Sequence, residues 1–224
     1  MRKLGTITID QAPRADITPI LDTALRPDLP RRHVGLLDSL GPDEIEARFG
    51  RRPGCPVLVS LLRDGSSVTV DKEAAEAAIQ DSIDLLEEDG CTTILLLCTG
   101  HFPGLRTRRA ALVTPERILV PTLAALRAGR QVGMLVPLPE QIESESAKWG
   151  ALGSPPVCAA ASPYTAGDAE LVRAAVMLRD RGAELLMTDC MGFTERHRRV
   201  ASEASGLPVI LSNAVIAKLV AEIT

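Results

Sequence analysis

Two thiols occupy matching positions in this chain of 224 residues. One lies in Thr93-Ile94-Leu95-Leu96-Leu97-Cys98-Thr99-Gly100, the other in Glu184-Leu185-Leu186-Met187-Thr188-Asp189-Cys190-Met191-Gly192. Each follows a short apolar run of the kind that forms a buried parallel strand, and each precedes residues that permit a turn. In an open α/β sheet, ligands bind at the carboxyl ends of the strands. A thiolate there can take a proton from carbon beside a carboxylate or carbonyl, and a thiol on the opposite face can return one. Sulfurs that each approach one carbon to ~3–3.5 Å would stand roughly 7 Å apart, too far for a disulfide. Free cysteine is also a common small core residue, so packing is the other reading of both positions.

Further candidates flank these thiols. The backbone N–H groups of Thr99 and Gly100, and of Met191 and Gly192, can form anion-binding turns. Arg14, with Asp10 and Gln11, follows the first strand. Its guanidinium can hold a carboxylate by paired hydrogen bonds, helped by the start of a helix. The alternatives are an ion pair of Arg14 with Asp10 or Asp16 and a turn capped by Gln11. Ser212 and Asn213 end the last strand and either reach the site or cap the following helix. His101 is close enough in sequence to act on Cys98, or is simply exposed. His197, in Glu195-Arg196-His197-Arg198-Arg199, reads as part of a solvated helix face, and His33 has no local support. An ionised Asp189 would disfavour the Cys190 thiolate unless it turns into a hydrogen-bond network. Cys55, Cys91 and Cys158 read as packing residues.

The elements that must position these groups alternate. Strands are expected over 3–9, 56–62, 67–70, 93–97, 117–120, 131–136, 156–161, 184–188 and 208–211. Residues 27–32 read as irregular, and 33–40 as ambiguous. Asp64-Gly65 marks a hairpin. Helices are expected from Pro13 to Leu25, over 41–49, and over 72–88 with Asp71 as N-cap. Others run from Pro121 to Gly129 and over 140–149, 169–181, 194–204 and 214–223. Strands alternating with helices of this length indicate βαβ units and parallel sheets. The fold class is α/β: two similar three-layer lobes with mainly parallel sheets and a cleft between them. The first lobe spans 1–115 plus 212–224 and carries Cys98, and the second spans 116–211 and carries Cys190.

Composition narrows the function. The formal net charge is -4 and aromatics make up 2% of the chain, so neither a basic nucleic-acid footprint nor a base-stacking platform is present. No run approaches the ~20 apolar residues of a membrane span, and the N-terminus lacks a leader pattern. Five cysteines without a CxxC pair fit neither a zinc site nor a disulfide framework. They point to reduced thiols in the cytoplasm. No phosphate loop, HExxH pair, GxSxG elbow or dinucleotide fingerprint occurs, so no cofactor and no metal are expected. The sequence leaves the oligomeric state, a homo-oligomer included, open.

The sequence resembles the AroM family over almost its whole length. The marks are Thr8-Ile9-Asp10-Gln11-Ala12-Pro13-Arg14, Gln131-Val132-Gly133-Met134-Leu135-Val136-Pro137, Ala147-Lys148-Trp149, Asp189-Cys190-Met191-Gly192-Phe193 and Leu211-Ser212-Asn213. It also resembles, in order and context, the aspartate/glutamate racemase superfamily. That superfamily carries a Cys-Asn-Thr-like motif in one lobe and a Gly-Cys-Thr-like motif in the other. Here those positions read Cys98-Thr99-Gly100 and Asp189-Cys190-Met191. The segment 117–137 resembles the superfamily's central strand, Pro-initiated helix and following strand. The resemblance implies a cofactor-independent racemase, isomerase or decarboxylase acting on a small carboxylate through Cys98 and Cys190. Its alternative is a carboxylate-binding protein that keeps the fold without turnover.

Overall fold

The structure, a computed structural model, describes residues 2–144 and 146–224. The chain divides into two units, Met1–Thr114 with Ala217–Thr224, and Pro115–Ile216. The first contains β1 (Leu4–Thr8), α1 (Thr18–Ala24), β2 (Arg31–Gly35), α2 (Pro42–Phe49), β3 (Val57–Leu61), β4 (Ser67–Asp71), α3 (Lys72–Glu88), β5 (Thr93–Leu96) and β6 (Ala111–Val113). The second contains α4 (Pro115–Arg127), β7 (Val132–Val136), α5 (Gln141–Ser144), a 3-10 segment (Ser146–Leu152), β8 (Val157–Ala160), α6 (Asp168–Asp180), β9 (Leu185–Thr188), α7 (Glu195–Ser205) and β10 (Val209–Leu211). The last helix, α8 (Ser212–Ile223), begins in the second unit and ends in the first.

Both units build the same sheet. The strand order is β2-β1-β5-β6 in one and β8-β7-β9-β10 in the other, and all pairs are parallel. The α/β class with mainly parallel sheets in two lobes therefore stands. Each third strand, β5 or β9, is an inner strand whose residues are all buried. Ile94, Leu95 and Leu96 are fully covered. Each such aliphatic contributes about 1.5–3 kcal/mol on burial, against about 1 kcal/mol for a neutral hydrogen bond. Packing therefore fixes where β5 ends, and with it where Cys98 emerges. β3 and β4 form a separate antiparallel hairpin across Asp64-Gly65, as expected from that turn.

Four local expectations are corrected. Residues 117–120, expected as a strand, lie inside α4, which runs through Pro121 without a break. Pro115 and Glu116 open this helix, a proline in its first turn followed by an acid near its positive end. The apolar trio Ile118-Leu119-Val120 mimics a strand. The helix expected from Pro13 begins at Thr18, with Pro19 as its first-turn proline, and the Ala12–Pro13 peptide is cis. Residues 31–35, read as irregular or ambiguous, form the edge strand β2, and the short β6 was not anticipated at all. The single helix expected over 140–149 is α5 followed by the 3-10 segment, with position 145 outside the described residues.

Candidate functional site

Each sheet delivers a cysteine just past its third strand, and the turn after it is made the same way twice. Gly100 N–H donates to Cys98 Sγ at 3.4 Å, and Gly192 N–H donates to Cys190 Sγ at 3.4 Å. An aromatic ring lies on each glycine. A Cβ at Gly100 would come within 3.0 Å of the Phe102 ring, and one at Gly192 within 2.4 Å of Tyr164 Oη. At 192 no side chain fits without displacing that ring.

The two thiols differ in their surroundings. Cys98 is 8% exposed and packs into the apolar core of its unit with Ile9 and Phe102. Cys190 is half-buried at the margin of the second core, with Tyr164 Oη 3.8 Å from its sulfur. Asp189 is engaged in a hydrogen-bond network. Lys148 Nζ lies 2.9 Å from Asp189 Oδ1 and 2.7 Å from Oδ2, and Trp149 Nε1 donates to Oδ2 at 3.2 Å. The Lys148 and Asp189 side chains are 3% and 2% exposed, so this is a buried, balanced pair.

Ser212 and Asn213 brace the Cys190 loop from behind. Ser212 Oγ donates to the Cys190 carbonyl at 3.1 Å. Asn213 Nδ2 donates to the carbonyls of Met191 at 2.8 Å and Phe193 at 2.6 Å. In a planar trans peptide the N–H points opposite to the C=O. Pinning the carbonyls of Cys190 and Met191 therefore aims the N–H groups of Met191 and Gly192 to the other side, where the sulfur lies.

In the first unit, the polar residues after β1 hold one another. Asp10 is fully buried and accepts from Ser60 Oγ at 2.6 Å, Thr8 Oγ1 at 2.8 Å, the Leu61 N–H and Arg14. Arg14 is 5% exposed, and it also binds Asp16 through Nε at 2.8 Å and Nη2 at 2.5 Å. Of its two readings, the ion pair with Asp10 and Asp16 is what the geometry presents, and no helix starts beside it. Gln11 ties the turn, accepting from the Arg63 N–H at 2.9 Å and donating to the Leu37 carbonyl at 3.2 Å.

The remaining candidates fall elsewhere. Cys91 is buried and Cys158 lies within β8, and burial pushes both thiols up. His101 is exposed. His197 is not on a solvated face: it is 8% exposed and its Nδ1 accepts the Thr194 N–H at 2.9 Å, capping α7. His33 pairs with Thr6 Oγ1 at 2.7 Å. Among the described residues, no group of three or more His, Cys, Asp or Glu is placed to hold a metal ion, and no helix is long and apolar enough to cross a membrane. Sequence reasoning missed Tyr164. Its signal was available: it is the chain's one tyrosine, just past an apolar strand.

Comparisons with known proteins agree with this architecture. The family model described as AroM protein matches residues 4–224. A glutamate racemase from Desulforudis audaxviator is 40% identical over 76 residues, which are 34% of this chain and 26% of that protein. The match thus spans about a quarter of that relative's length. Among solved structures, unliganded arylmalonate decarboxylase superposes with a TM-score of 0.59 at 17% identity, covering 100% of this chain and 92% of the other. Allantoin racemase from Pseudomonas fluorescens gives 0.63 at 15% identity, with 100% and 90% covered. At such identities the likeness is one of fold.

Proposed function

This chain belongs to the AroM family, and from that premise we propose that it is a cofactor-independent enzyme of racemase, isomerase or decarboxylase type. Its substrate is a small carboxylate or a related carbonyl compound, and its chemistry is proton transfer at cysteine. One observation carries the reading: the same cysteine turn, with the same N–H to sulfur hydrogen bond, at the carboxyl ends of β5 and β9. A thiolate at one cysteine takes the proton beside the carbonyl group, and the thiol of the other returns one. Backbone N–H groups at Thr99, Gly100, Met191 and Gly192 stabilise the enolate charge as it develops. None of the five cysteines is in a disulfide, and the proposed setting is a reducing, cytoplasmic one.

A second reading, a carboxylate-binding protein without turnover, is favoured by the packing of Cys98 within its apolar core. Deuterium exchange separates the two. The protein is incubated in D2O with glutamate, aspartate, allantoin and an arylmalonate, and label at the reacting carbon is followed by NMR. Exchange that is lost in Cys98→Ala and Cys190→Ala supports the enzyme. Exchange untouched by both substitutions would falsify the thiol mechanism, and binding without exchange favours the second reading.

A further inference from the structure

Tyr164 stands four residues past the end of β8, with its N–H donating to Ser162 Oγ at 3.2 Å. Its ring rests on Gly192, and its hydroxyl lies 3.8 Å from Cys190 Sγ. We propose that Tyr164 is a positioning residue that makes Cys190 the resting thiolate and proton acceptor of this site. This rests on the proton-transfer reading above.

Two donors converge on the Cys190 sulfur. The Gly192 N–H can only donate, and it already meets the sulfur at 3.4 Å. The tyrosine hydroxyl can donate or accept. A thiolate receives both donors at once, so the pair favours the charged form. The ring holds its hydroxyl there because position 192 carries no side chain. In the first unit the ring on Gly100 is Phe102 of the same loop, which has no hydroxyl to offer the Cys98 sulfur.

Several polar and ionisable groups lie near Cys190 in the second unit. Asp189 is engaged by Lys148 and Trp149 of the 3-10 segment. His197 of α7 holds the Thr194 N–H. From α8 come the neutral Ser212 and Asn213, and Cys158 of β8 is kept protonated by burial. In the step itself, the Cys190 thiolate forms an S–H bond as the substrate C–H bond breaks. The C–H electron pair moves into the enolate, and the proton later returns to carbon or to solvent. Tyr164 keeps its own proton throughout.

The test reads the thiol without any substrate. Iodoacetamide alkylation of Cys190 is measured against pH by peptide mass spectrometry, with half-buried Cys55 as internal control. In Tyr164→Phe the half-maximal pH of Cys190 alkylation is expected to rise by about one unit on losing a hydrogen bond to a charged group, so that the rate falls roughly tenfold at pH values below that point. The Cys55 profile should stay in place. Because Tyr164 is the chain's only tyrosine, global replacement of tyrosine by 3-fluorotyrosine alters this position alone. The ring stays in place while the phenol becomes a stronger donor, so the half-maximal pH is expected to fall. An unmoved Cys190 profile in both proteins overturns the assignment, and if the phenylalanine variant does not fold, the fluorotyrosine protein decides alone. Loss of deuterium exchange with these shifts intact would sink the enzyme reading and leave the tyrosine–thiolate pair standing.

Discussion

At the scale of single residues, the Cys190 loop is held by side chains far from it in sequence. A cysteine that follows an apolar strand announces itself in sequence. Tyr164 and Lys148 act across 26 and 41 residues on Cys190 and Asp189, and no periodicity links such pairs. Asn213 illustrates the same gap. It ends a strand and reads as a cap, yet its side chain is fully buried and its amide satisfies two carbonyls of the Cys190 loop. Orphaning a buried acceptor costs about 1–3 kcal/mol. Asn213→Ala is therefore expected to lower the unfolding free energy by about 2–3 kcal/mol in urea titrations. It should also raise amide exchange across residues 190–194. Unchanged exchange there would show that the loop is braced by other contacts.

At the scale of elements, the interior strands followed from their apolar runs, and the errors clustered at prolines and edges. In sequence Pro121 reads as a helix start, because proline normally ends or opens a helix. The Pro115-Glu116 opening six residues earlier carried the true signal. β2 escaped because the edge strand has the pattern Arg31-Arg32-His33, half-buried and polar. The 3-10 segment is the element with the most to lose from one substitution. Lys148 and Trp149 fasten it to Asp189, and the Lys148–Asp189 pair is nearly sealed from water. Removing one partner of a buried pair costs about 3–5 kcal/mol, whereas replacing both by apolar residues is often neutral. Lys148→Ala is expected to show the full loss in thermal or urea unfolding. Lys148→Met combined with Asp189→Leu should recover part of it, less the cost of about 1–3 kcal/mol for the Trp149 N–H left without its acceptor, and a double variant less stable than Lys148→Ala would count against the pairing.

At the scale of the whole molecule, the class and the two-lobed plan were readable from the alternation of elements, while the repeated strand order was not. Crossovers between strands leave no trace in local composition. The carboxylates held below their usual range, Asp64, Asp71 and Glu87, all belong to the first unit. Arg52 is the main cause at Asp71, which is brought down to about 2, and the Ala110 N–H is the leading cause at Glu87. A carboxylate with a depressed value in the folded state stabilises above its unfolded value of ~4, and loses that contribution as pH falls through the folded one. Stability should thus be level near neutrality and decline between about pH 4 and about 2. Amides of the first unit should exchange first in hydrogen exchange at low pH. Glu87→Gln should make the acid limb shallower, and an unchanged slope would count against this origin.

The path of α8 has a consequence for how the protein is made. Residues 217–224 belong to the first unit, and both Arg2 and Arg26 reach the main-chain oxygen of Thr224, at 3.1 Å and 3.4 Å. The ribosome therefore finishes all of the second unit before it releases the last piece of the first. The first unit is thus without residues 217–224 while residues 115–216 are being translated.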